Sequence, residues 1–456
     1  MPLRALVFVL CVLLTCLCTG RVRAQGVPPY PDAITNRLVY PETPLRSPPV
    51  SAAFRDPDLG SLMVRVTDEN SDPKGKEDYF YNPPQDDNEW SVDDRKFYVA
   101  VGYDNANLAF AFDPTTMAMS SLPGAGVGGG LLIPLRPGPT FSFVDPDLMF
   151  GTALREPLVI STYRFSTGVA TPLFDTTACG TQPPLIAGPD VYSSDSTVSD
   201  DDSRIDISAG GRGAGTRPFV IVYDQTLGCR WYNTETGQIG GLWGPTGQTS
   251  TPDRFLFNHS KISGNGQYVR ISRGKEFYVW DTTSLDVEPC YQGDGPPYCD
   301  GYGAVGFDTY INEPGVLDEL NTFRRPLGDL TDFTKLIDPL PLPHLWGMET
   351  NFAWSNGRLN SSLPVCGTLY SPAGITEIKQ PYDGEVVCIE TDGVASTIWR
   401  FAHNRAVWDP EYFWTQPLGN ISLDGRFFSF TSSWGEQLGN TGQGDPRTDV
   451  WIVHLD

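Results

Sequence analysis

The chain has 456 residues, of which residues 1–24 look like a removable leader, leaving about 432 for two or three domains or one large repeat architecture. Glycine (47) and proline (40) make up about 19% of the chain, which argues against a helical protein, while 40% apolar residues exclude a disordered or fibrous one. The formal net charge of −23 disfavours nucleic acid and anionic membrane surfaces as partners.

The first 24 residues predict an export signal. A basic start ending at Arg4 precedes an apolar run over residues 5–18, and residues 22–24 (Val-Arg-Ala) form a small-x-small cleavage site. The run is shorter than the roughly 20 residues of a membrane-spanning helix, and no other stretch approaches that length. We expect a periplasmic or secreted mature protein without a membrane span; the alternative is an amino-terminal anchor.

Six cysteines remain after the leader. An even number in an exported chain predicts structural disulfides, although six cysteines allow 15 connectivities, and no CxxC spacing points to zinc. We expect neighbours in sequence to pair, which joins Cys290 to Cys299, Cys366 to Cys388 and, by elimination, Cys179 to Cys229.

Two regions follow the leader. Residues 25–60 are proline-rich and aperiodic, which predicts an extended arm over the surface. From residue 61 to residue 456 the chain consists of short alternating runs separated by turn residues, which is typical of strands. The run 61–66 (SLMVRV) is expected to pair with the carboxy-terminal strand and so to close a ring.

A repeated phrase organises residues 61–456. An apolar residue, a serine, a short turn and an alternating strand recur at 90–99, 262–269, 354–358 and 421–430, with weaker copies at 140–168 and 197–237. The Asp-Gly and Asn-Gly pairs predict two-residue primed turns. Units of roughly 55–65 residues allow six to eight copies, and we count seven. The pattern predicts an all-β, seven-bladed β-propeller; the alternative is a pair of two-sheet sandwiches.

One segment departs from the strand pattern. Within residues 314–340 apolar positions recur at intervals of three and four, which predicts one or two short helices inserted in a blade. Such an insertion would cap the blade or cover the mouth of the channel.

The phrase at 421–430 (ISLDGRFFSF), with Trp414 before it and VWIVHLD after it, resembles the WD40-like PD40 repeat of TolB-type propellers and of prolyl oligopeptidase propellers. That motif carries proline after the serine, where this chain has Val92, Gly264, Asn356 and Leu423. The resemblance implies a propeller and says little about function, since propellers carry many unrelated activities. Together with the predicted export signal, the favoured interpretation is an exported, monomeric, TolB-like module that binds a protein or carbohydrate ligand. A TolB-like envelope component that associates with a lipoprotein is a further interpretation.

Any site of such a module is expected in the central funnel. The innermost strand of each blade leads into the serine turn, so polar residues just before the turns converge on the axis. The candidate ligand-binding residues are Asp87, Glu89, His259, Lys261, Asn351 and Gln416. The alternative is that these residues merely form the solvated lining that any propeller axis carries.

Three histidines raise an enzymatic alternative. His259, His344 and His403 with a carboxylate would suit manganese, iron or zinc. Oligogalacturonate lyases, which are seven-bladed propellers, use a histidine-based metal site on the axis, so a metal-dependent polysaccharide lyase is the second functional hypothesis. No catalytic base stands out, and no Gly-x-Ser-x-Gly elbow is present. The acidic stretches 68–78 and 195–202 are candidate calcium sites, since their oxygen ligands suit that ion.

Overall fold

The computed structural model describes residues 30–72, 79–83, 87–102, 106–135, 138–153, 156–179, 192–211, 215–274, 276–290, 299, 303–312, 322–336, 349–370, 380–392 and 397–456. These residues form seven antiparallel sheets of four to six strands, the blades of a propeller, which confirms the predicted fold class. The predicted leader lies outside the described residues. Within the described ranges, no helix has the length and apolarity needed to cross a membrane.

The strands follow the blades in chain order. Two strands precede the first blade: β1 (Ala53–Arg55) and β2 (Leu62–Arg65). Blade 1 contains β3 (Phe80–Tyr81), β4 (Lys96–Val101), β5 (Ala106–Asp113), β6 (Ala118–Ser120) and β7 (Leu131–Ile133). Blade 2 contains β8 (Thr140–Phe141), β9 (Leu148–Ala153), β10 (Glu156–Arg164) and β11 (Val169–Asp175). Blade 3 contains β12 (Tyr192–Val198), β13 (Arg204–Gly210), β14 (Phe219–Asp224), β15 (Gly228–Asn233), β16 (Gln238–Gly241) and β17 (Gly247–Gln248).

The second half of the ring is built in the same way. Blade 4 contains β18 (His259–Ile262), β19 (Tyr268–Arg273), β20 (Glu276–Asp281) and β21 (Val287–Cys290). Blade 5 contains β22 (Ala304–Val305), β23 (Thr309–Ile311), β24 (Phe323–Pro326) and β25 (Thr334–Lys335). Blade 6 contains β26 (Glu349–Ala353), β27 (Val365–Tyr370), β28 (Glu385–Ile389) and β29 (Ile398–His403). Blade 7 contains β30 (Gly419–Ile421), β31 (Phe427–Ser432) and β32 (Asp449–His454), and single 3₁₀ turns cover Thr176–Ala178, Asn356–Arg358 and Phe413–Thr415.

The repeated serine closes a turn with its side chain. In blades 1, 3, 4 and 7 its hydroxyl donates to an Asp or Asn side chain two residues later, at 2.6–2.8 Å, and accepts from the backbone N–H five residues later, at 2.9–3.0 Å. The residue after that Asp or Asn has positive φ, and it is Asp94, Asp202, Gly266 or Gly425. Only this one turn residue is left-handed, so the turn is not the predicted two-residue primed turn, in which both central residues have positive φ.

Each serine turn also binds a turn of a neighbouring blade. Backbone and side-chain hydrogen bonds of 2.7–2.9 Å join Leu423 to Asp94, Phe143 to Asp202, Asp200 to Gly264, Asn265 to Phe307 and Phe307 to Gly357. The approach is closest at Gly264, where an added Cβ would lie 2.2 Å from the carbonyl oxygen of Arg358. These contacts tie the blades together around the axis at one face of the disc, which we call the turn face.

The ring closes through the two ends of the chain. β2 pairs antiparallel with β32, with Met63 opposite Val453 and Val64 opposite Ile452, as the 61–66 run predicts. β1 adds a fifth strand to the same sheet. Beside the pairing, Arg65 forms a buried ion pair with Asp449.

The helices predicted over 314–340 are wrong in the part that the structure describes. Residues 322–336 form β24, a turn and β25, with Phe323, Leu327, Leu330 and Leu336 buried. The turn between the two short strands interrupts the alternation, and the resulting spacing imitates a helical repeat. Residues 314–321 and 337–340 lie outside the described residues.

The three disulfides join the cysteine pairs expected from sequence. Cys290 pairs with Cys299 and Cys366 with Cys388 across the β27–β28 pair. Cys179 pairs with Cys229, linking the end of blade 2 to β15 of blade 3.

We call the pairing of β2 with β32 the clasp, and shortening a buried side chain in it should destabilise the whole ring. Met63 is fully buried against the apolar core of blades 6 and 7, so Met63→Ala is expected to lower the free energy of unfolding by about 2–5 kcal/mol in urea titrations. Leu38→Ala, at an arm residue that is 63% exposed, is the control and should change it by less than about 0.5 kcal/mol. Equal effects of the two substitutions would show that the clasp does not hold the ring.

The disulfides should differ in their contribution to stability. Cys179 and Cys229 are 50 residues apart and Cys290 and Cys299 are 9 apart, so loop-closure entropy predicts contributions of about 4 and about 2.6 kcal/mol. Urea unfolding of the double variants Cys179→Ser/Cys229→Ser and Cys290→Ser/Cys299→Ser measures the difference. A larger loss in the second variant would contradict the entropic account.

Candidate functional site

The first strand of each blade lies at the axis. The strands that open neighbouring blades contact each other, as β12 does with β18 and β26 with β30. Side chains of these strands and of the turns that follow them therefore meet at the centre of the ring. Four of them, Asp87, Glu89, Lys261 and Arg358, together with Asp206 on the second strand of blade 3, form what we call the hub cluster.

An ion pair crosses the axis within the hub cluster. The Lys261 ammonium on β18 of blade 4 contacts the Asp87 carboxylate, which belongs to blade 1. The two side chains are 1% and 0% exposed. Because an isolated buried charge is costly, each of the two groups holds the other in place and fixes the relative position of blades 1 and 4.

Glu89 is buried beside this pair. Its carboxyl accepts a hydrogen bond of 2.7 Å from Asn82, whose amide also donates to Ser429 at 2.7 Å. Burial raises the pKa of Glu89 to about 8, the negative charge of Asp87 adds to the rise, and hydrogen bonds from Ser429, Asn82 and Asn420 oppose it. Glu89 is therefore mostly protonated at neutral pH.

Asp206 brings a second carboxyl from β13 of blade 3. Burial raises its pKa to about 7, although Ser260, Thr197 and the charges of Lys261 and Arg358 lower it. The hydroxyls of Ser260 and Thr197 act on this carboxyl as hydrogen-bond partners. Asp206 is thus a fully buried carboxyl held between two hydroxyls and two cations.

Arg358 closes the hub at the turn face. It extends from the 3₁₀ turn of blade 6 to donate a hydrogen bond to the Val198 carbonyl of blade 3, and its guanidinium lies 5.5 Å from the ring centroid of Phe143 in blade 2. Val92, Leu359 and Leu423 pack into the same apolar cluster as Phe143. These side chains plug the axis at the turn face; we call the opposite face of the propeller the loop face.

His259, at the start of β18, lies among cations. The Arg270 guanidinium is 3.2 Å from its Nε2 atom. Burial lowers the pKa of His259 well below its usual value, and the charges of Arg270, Lys261 and Arg217 lower it further. His259 is thus a neutral imidazole in positive surroundings, which disfavours a metal cation at this ring.

The structure gives the histidines of the predicted metal site different surroundings. His403, at the end of β29, contacts Asp56 and Asp58 of the amino-terminal arm, whereas His259 contacts Arg270. His344 lies outside the described residues.

The remaining predicted funnel residues have other contacts. Asn351 on β26 donates to the Tyr370 hydroxyl at 3.3 Å. Gln416 lies in the connection between blades 6 and 7, where its carbonyl accepts from the Leu418 N–H. Of the predicted set, Asp87, Glu89 and Lys261 belong to the hub cluster.

Three described acids of the two calcium candidates accept hydrogen bonds from backbone N–H groups. Asp68 accepts from the Asn70 N–H at 2.9 Å, and Asp201 from the Ser203 N–H at 2.9 Å. Asp202 accepts from the Phe143 N–H at 2.9 Å. Residues 73–78 lie outside the described residues.

The sequence analysis missed two members of the hub cluster. Asp206 interrupts an apolar run between Ile205 and Ile207, and a charged residue inside a buried strand is a detectable signal. Arg358 follows the turn of blade 6 in the same place as the exposed Arg426 in blade 7, so sequence does not distinguish their roles.

A second concave region lies off the axis between blades 6 and 7. It is a cavity of about 330 Å³ whose lining includes Asp409, Glu436, Asn440 and Arg447. Arg447 is paired with Glu69 and Asp449, so the guanidinium at this cavity is already neutralised.

Comparisons with known proteins support the fold. No model of a protein family matches the sequence, and neither does any curated protein. Among solved structures, an oligogalacturonate lyase in complex with manganese is similar at 10% identity and a TM-score of 0.54, over 93% of this chain and 98% of that one. An oligogalacturonate lyase from Vibrio parahaemolyticus (12% identity, TM-score 0.47, 89% and 96% of the two chains) and TolB from Acinetobacter baumannii (13%, 0.30, 60% and 60%) also match.

Glu89 should make stability depend on pH. The folded carboxyl keeps its proton up to about pH 8, whereas the unfolded one releases it near 4.5, so the folded state binds more protons in between and stability falls as pH rises through this window. Between pH 5 and pH 8.5, we expect the free energy of unfolding to fall by about 3–5 kcal/mol less in Glu89→Gln than in the wild type. Urea unfolding at both pH values measures this, with exposed Glu436→Gln as the control. Parallel losses in all three proteins would contradict a raised pKa.

Proposed function

We propose that this chain is an exported β-propeller that binds a polar ligand at the loop-face end of its central funnel, as a TolB-like binding module does. The observation that carries the proposal is the hub cluster, in which buried ionisable groups from blades 1, 3, 4 and 6 meet above a plugged turn face. A structural core would fill this space with apolar side chains at a lower desolvation cost. Three disulfides favour an oxidising compartment.

The charge of the hub indicates the ligand class. At neutral pH Glu89 is protonated and Asp206 is partly protonated, so the charges of Lys261 and Arg358 match or exceed the negative charge at the hub. Arg270 and Arg217 extend the positive region around His259. The hub thus offers an anionic group a favourable environment inside a chain of net charge −23. Acidic carbohydrates and acidic protein segments are the ligand classes that fit.

A polysaccharide lyase is the second candidate. Elimination beside a uronate carboxylate needs a base for the proton next to the carboxyl group and a cation to neutralise that group. Arg270 would supply the cation, and His259, 3.2 Å away, is the candidate base, although its lowered pKa makes it a weak one. This reaction would use His259 as a base, and it assigns no metal to it.

Calorimetric titration of residues 25–456 with trigalacturonate, a neutral glucose trimer and an acidic peptide tests the proposal. We expect the acidic probes to bind, and Asp206→Asn to change their affinity at least tenfold, because it fixes the hydrogen-bonding pattern of a hub group. Asp409→Asn, in the off-axis cavity, is the matched control and should leave affinity unchanged. Binding that responds to Asp409→Asn alone would place the ligand in that cavity, and equal binding of the neutral trimer would exclude the charge argument.

The same titrations distinguish the module from the lyase. A lyase would release an unsaturated uronate from trigalacturonate, seen by its ultraviolet absorbance, and His259→Gln would abolish the release. Binding without product identifies the module.

A further inference from the structure

The amino-terminal arm brings two carboxylates to a buried histidine. His403 ends β29 and Asp56 directly follows β1, and both side chains are fully buried, while the Asp58 side chain is 11% exposed. The His403 Nδ1 atom lies 3.3 Å from Asp58 Oδ2 and 4.0 Å from Asp56 Oδ1. Each residue offers one nitrogen or oxygen atom that could bind a metal ion, and these three atoms lie within 4.8 Å of one another. We call these three residues the arm cluster.

The hydrogen bond on the far side of the His403 ring determines which ring nitrogen carries the proton and which one faces the carboxylates with a lone pair. His403 Nε2 lies 3.1 Å from the Tyr40 carbonyl oxygen, which can only accept, so Nε2 carries the proton. In the neutral ring Nδ1 then offers a lone pair. Nδ1 is buried, and no hydrogen-bond partner for it exists among the described residues. A lone pair that faces carboxylate oxygens is repulsive unless a cation lies between them.

The two carboxylates are held in position by the arm itself. Asp56 Oδ1 accepts from the N–H groups of Asp58 and Leu59 at 3.0 and 2.9 Å. Asp58 accepts from the Thr43 N–H at 2.8 Å and from the Thr43 hydroxyl at 2.5 Å. Outer hydrogen bonds to each ligand, including one from histidine to a backbone carbonyl, are the usual support of protein metal sites.

The charge balance also leaves room for a cation. The Arg405 guanidinium lies 3.4 Å from Asp56, 3.8 Å from Asp58 and 3.2 Å from Glu42. One guanidinium therefore faces three carboxyl groups, although burial raises the pKa of Glu42. A metal cation at the arm cluster would offset this excess of carboxyl groups.

We propose that Asp56, Asp58 and His403 bind one divalent transition-metal ion of the zinc or manganese kind, which fastens the amino-terminal arm to blade 6. Metal–ligand bonds of about 2.0–2.2 Å place donor atoms roughly 3–4 Å apart, close to the spacing seen here. An imidazole nitrogen with two carboxylate oxygens favours these ions over calcium or magnesium. The site joins His403 to the arm acids instead of to His259 and His344, and it is separate from the hub cluster.

Metal binding to the mature chain, residues 25–456, tests the proposal. The protein is stripped with a chelator, dialysed, and titrated with ZnCl₂ and with MnCl₂ in a calorimeter, and bound metal is counted by mass spectrometry. We expect one equivalent of one of these ions to bind and to raise the thermal midpoint by roughly 2–5 °C at saturation. Cleavage of the arm between residues 37 and 52 by protease should slow when the ion is bound.

Three variants assign the ion to the arm cluster. His403→Gln and Asp58→Asn should each weaken binding at least 100-fold, and Asp58→Asn keeps the test valid if the buried His403→Gln variant does not fold. His454→Gln is the control, because His454 also pairs with a carboxylate, Asp456 at 2.8 Å, outside the cluster. A wild-type chain that binds neither ion would overturn the proposal and leave an imidazolium ion pair in its place. Binding retained in Asp58→Asn and His403→Gln would overturn it equally.

Discussion

The pairing of β2 with β32 is the constraint on which the other contacts depend, because a ring of blades is complete only when its two ends meet. It joins residues almost 390 positions apart, Val64 and Ile452 among them. The entropy cost of closing a loop grows only with the logarithm of the loop length. Closing a loop of this length therefore costs little more than closing a short one. Against this cost stand the ladder hydrogen bonds, the Arg65–Asp449 pair and the stacking of Trp434 on Trp451 at 3.9 Å.

The serine turns explain how blades with the same turn can place different side chains near the axis. The serine and the Asp or Asn after it satisfy the same hydrogen bonds in four blades, so the position between them is free to vary. In blades 1 and 7 it holds Val92 and Leu423, which pack into the plug at the turn face. In blade 4 it holds Gly264, because the backbone of blade 6 comes too close for a side chain. In addition, the N–H groups of Leu423 and Gly264 at this position donate to neighbouring blades, and proline would have no N–H to donate.

Sequence predicted what depends on local chemistry and failed where distant residues meet. The serine phrase, the 61–66 strand and the cysteine pairs are visible as patterns, and the structure confirms them. The Asp87–Lys261 pair is 174 residues apart in sequence, so sequence placed each residue at the axis without showing the contact. Arg358 was missed because a similar Gly-Arg pair follows the serine of blade 7, where the arginine is exposed. The helices over 314–340 were wrongly predicted because the strand, turn and strand over residues 322–336 imitate a helical repeat.

The protonation of the hub reconciles an acidic protein with an anionic ligand. A funnel lined by ionised carboxylates would repel such a ligand, and one lined only by arginines would be costly to bury. Here burial itself raises the pKa of Glu89 and Asp206, which lowers the negative charge that these two carboxyl groups place beside Lys261 and Arg358. Under the proposed function, the same desolvation that makes the site expensive to fold would set its selectivity for an anion. It follows that a hub of this kind binds an anion more weakly as the pH rises and its carboxyls ionise.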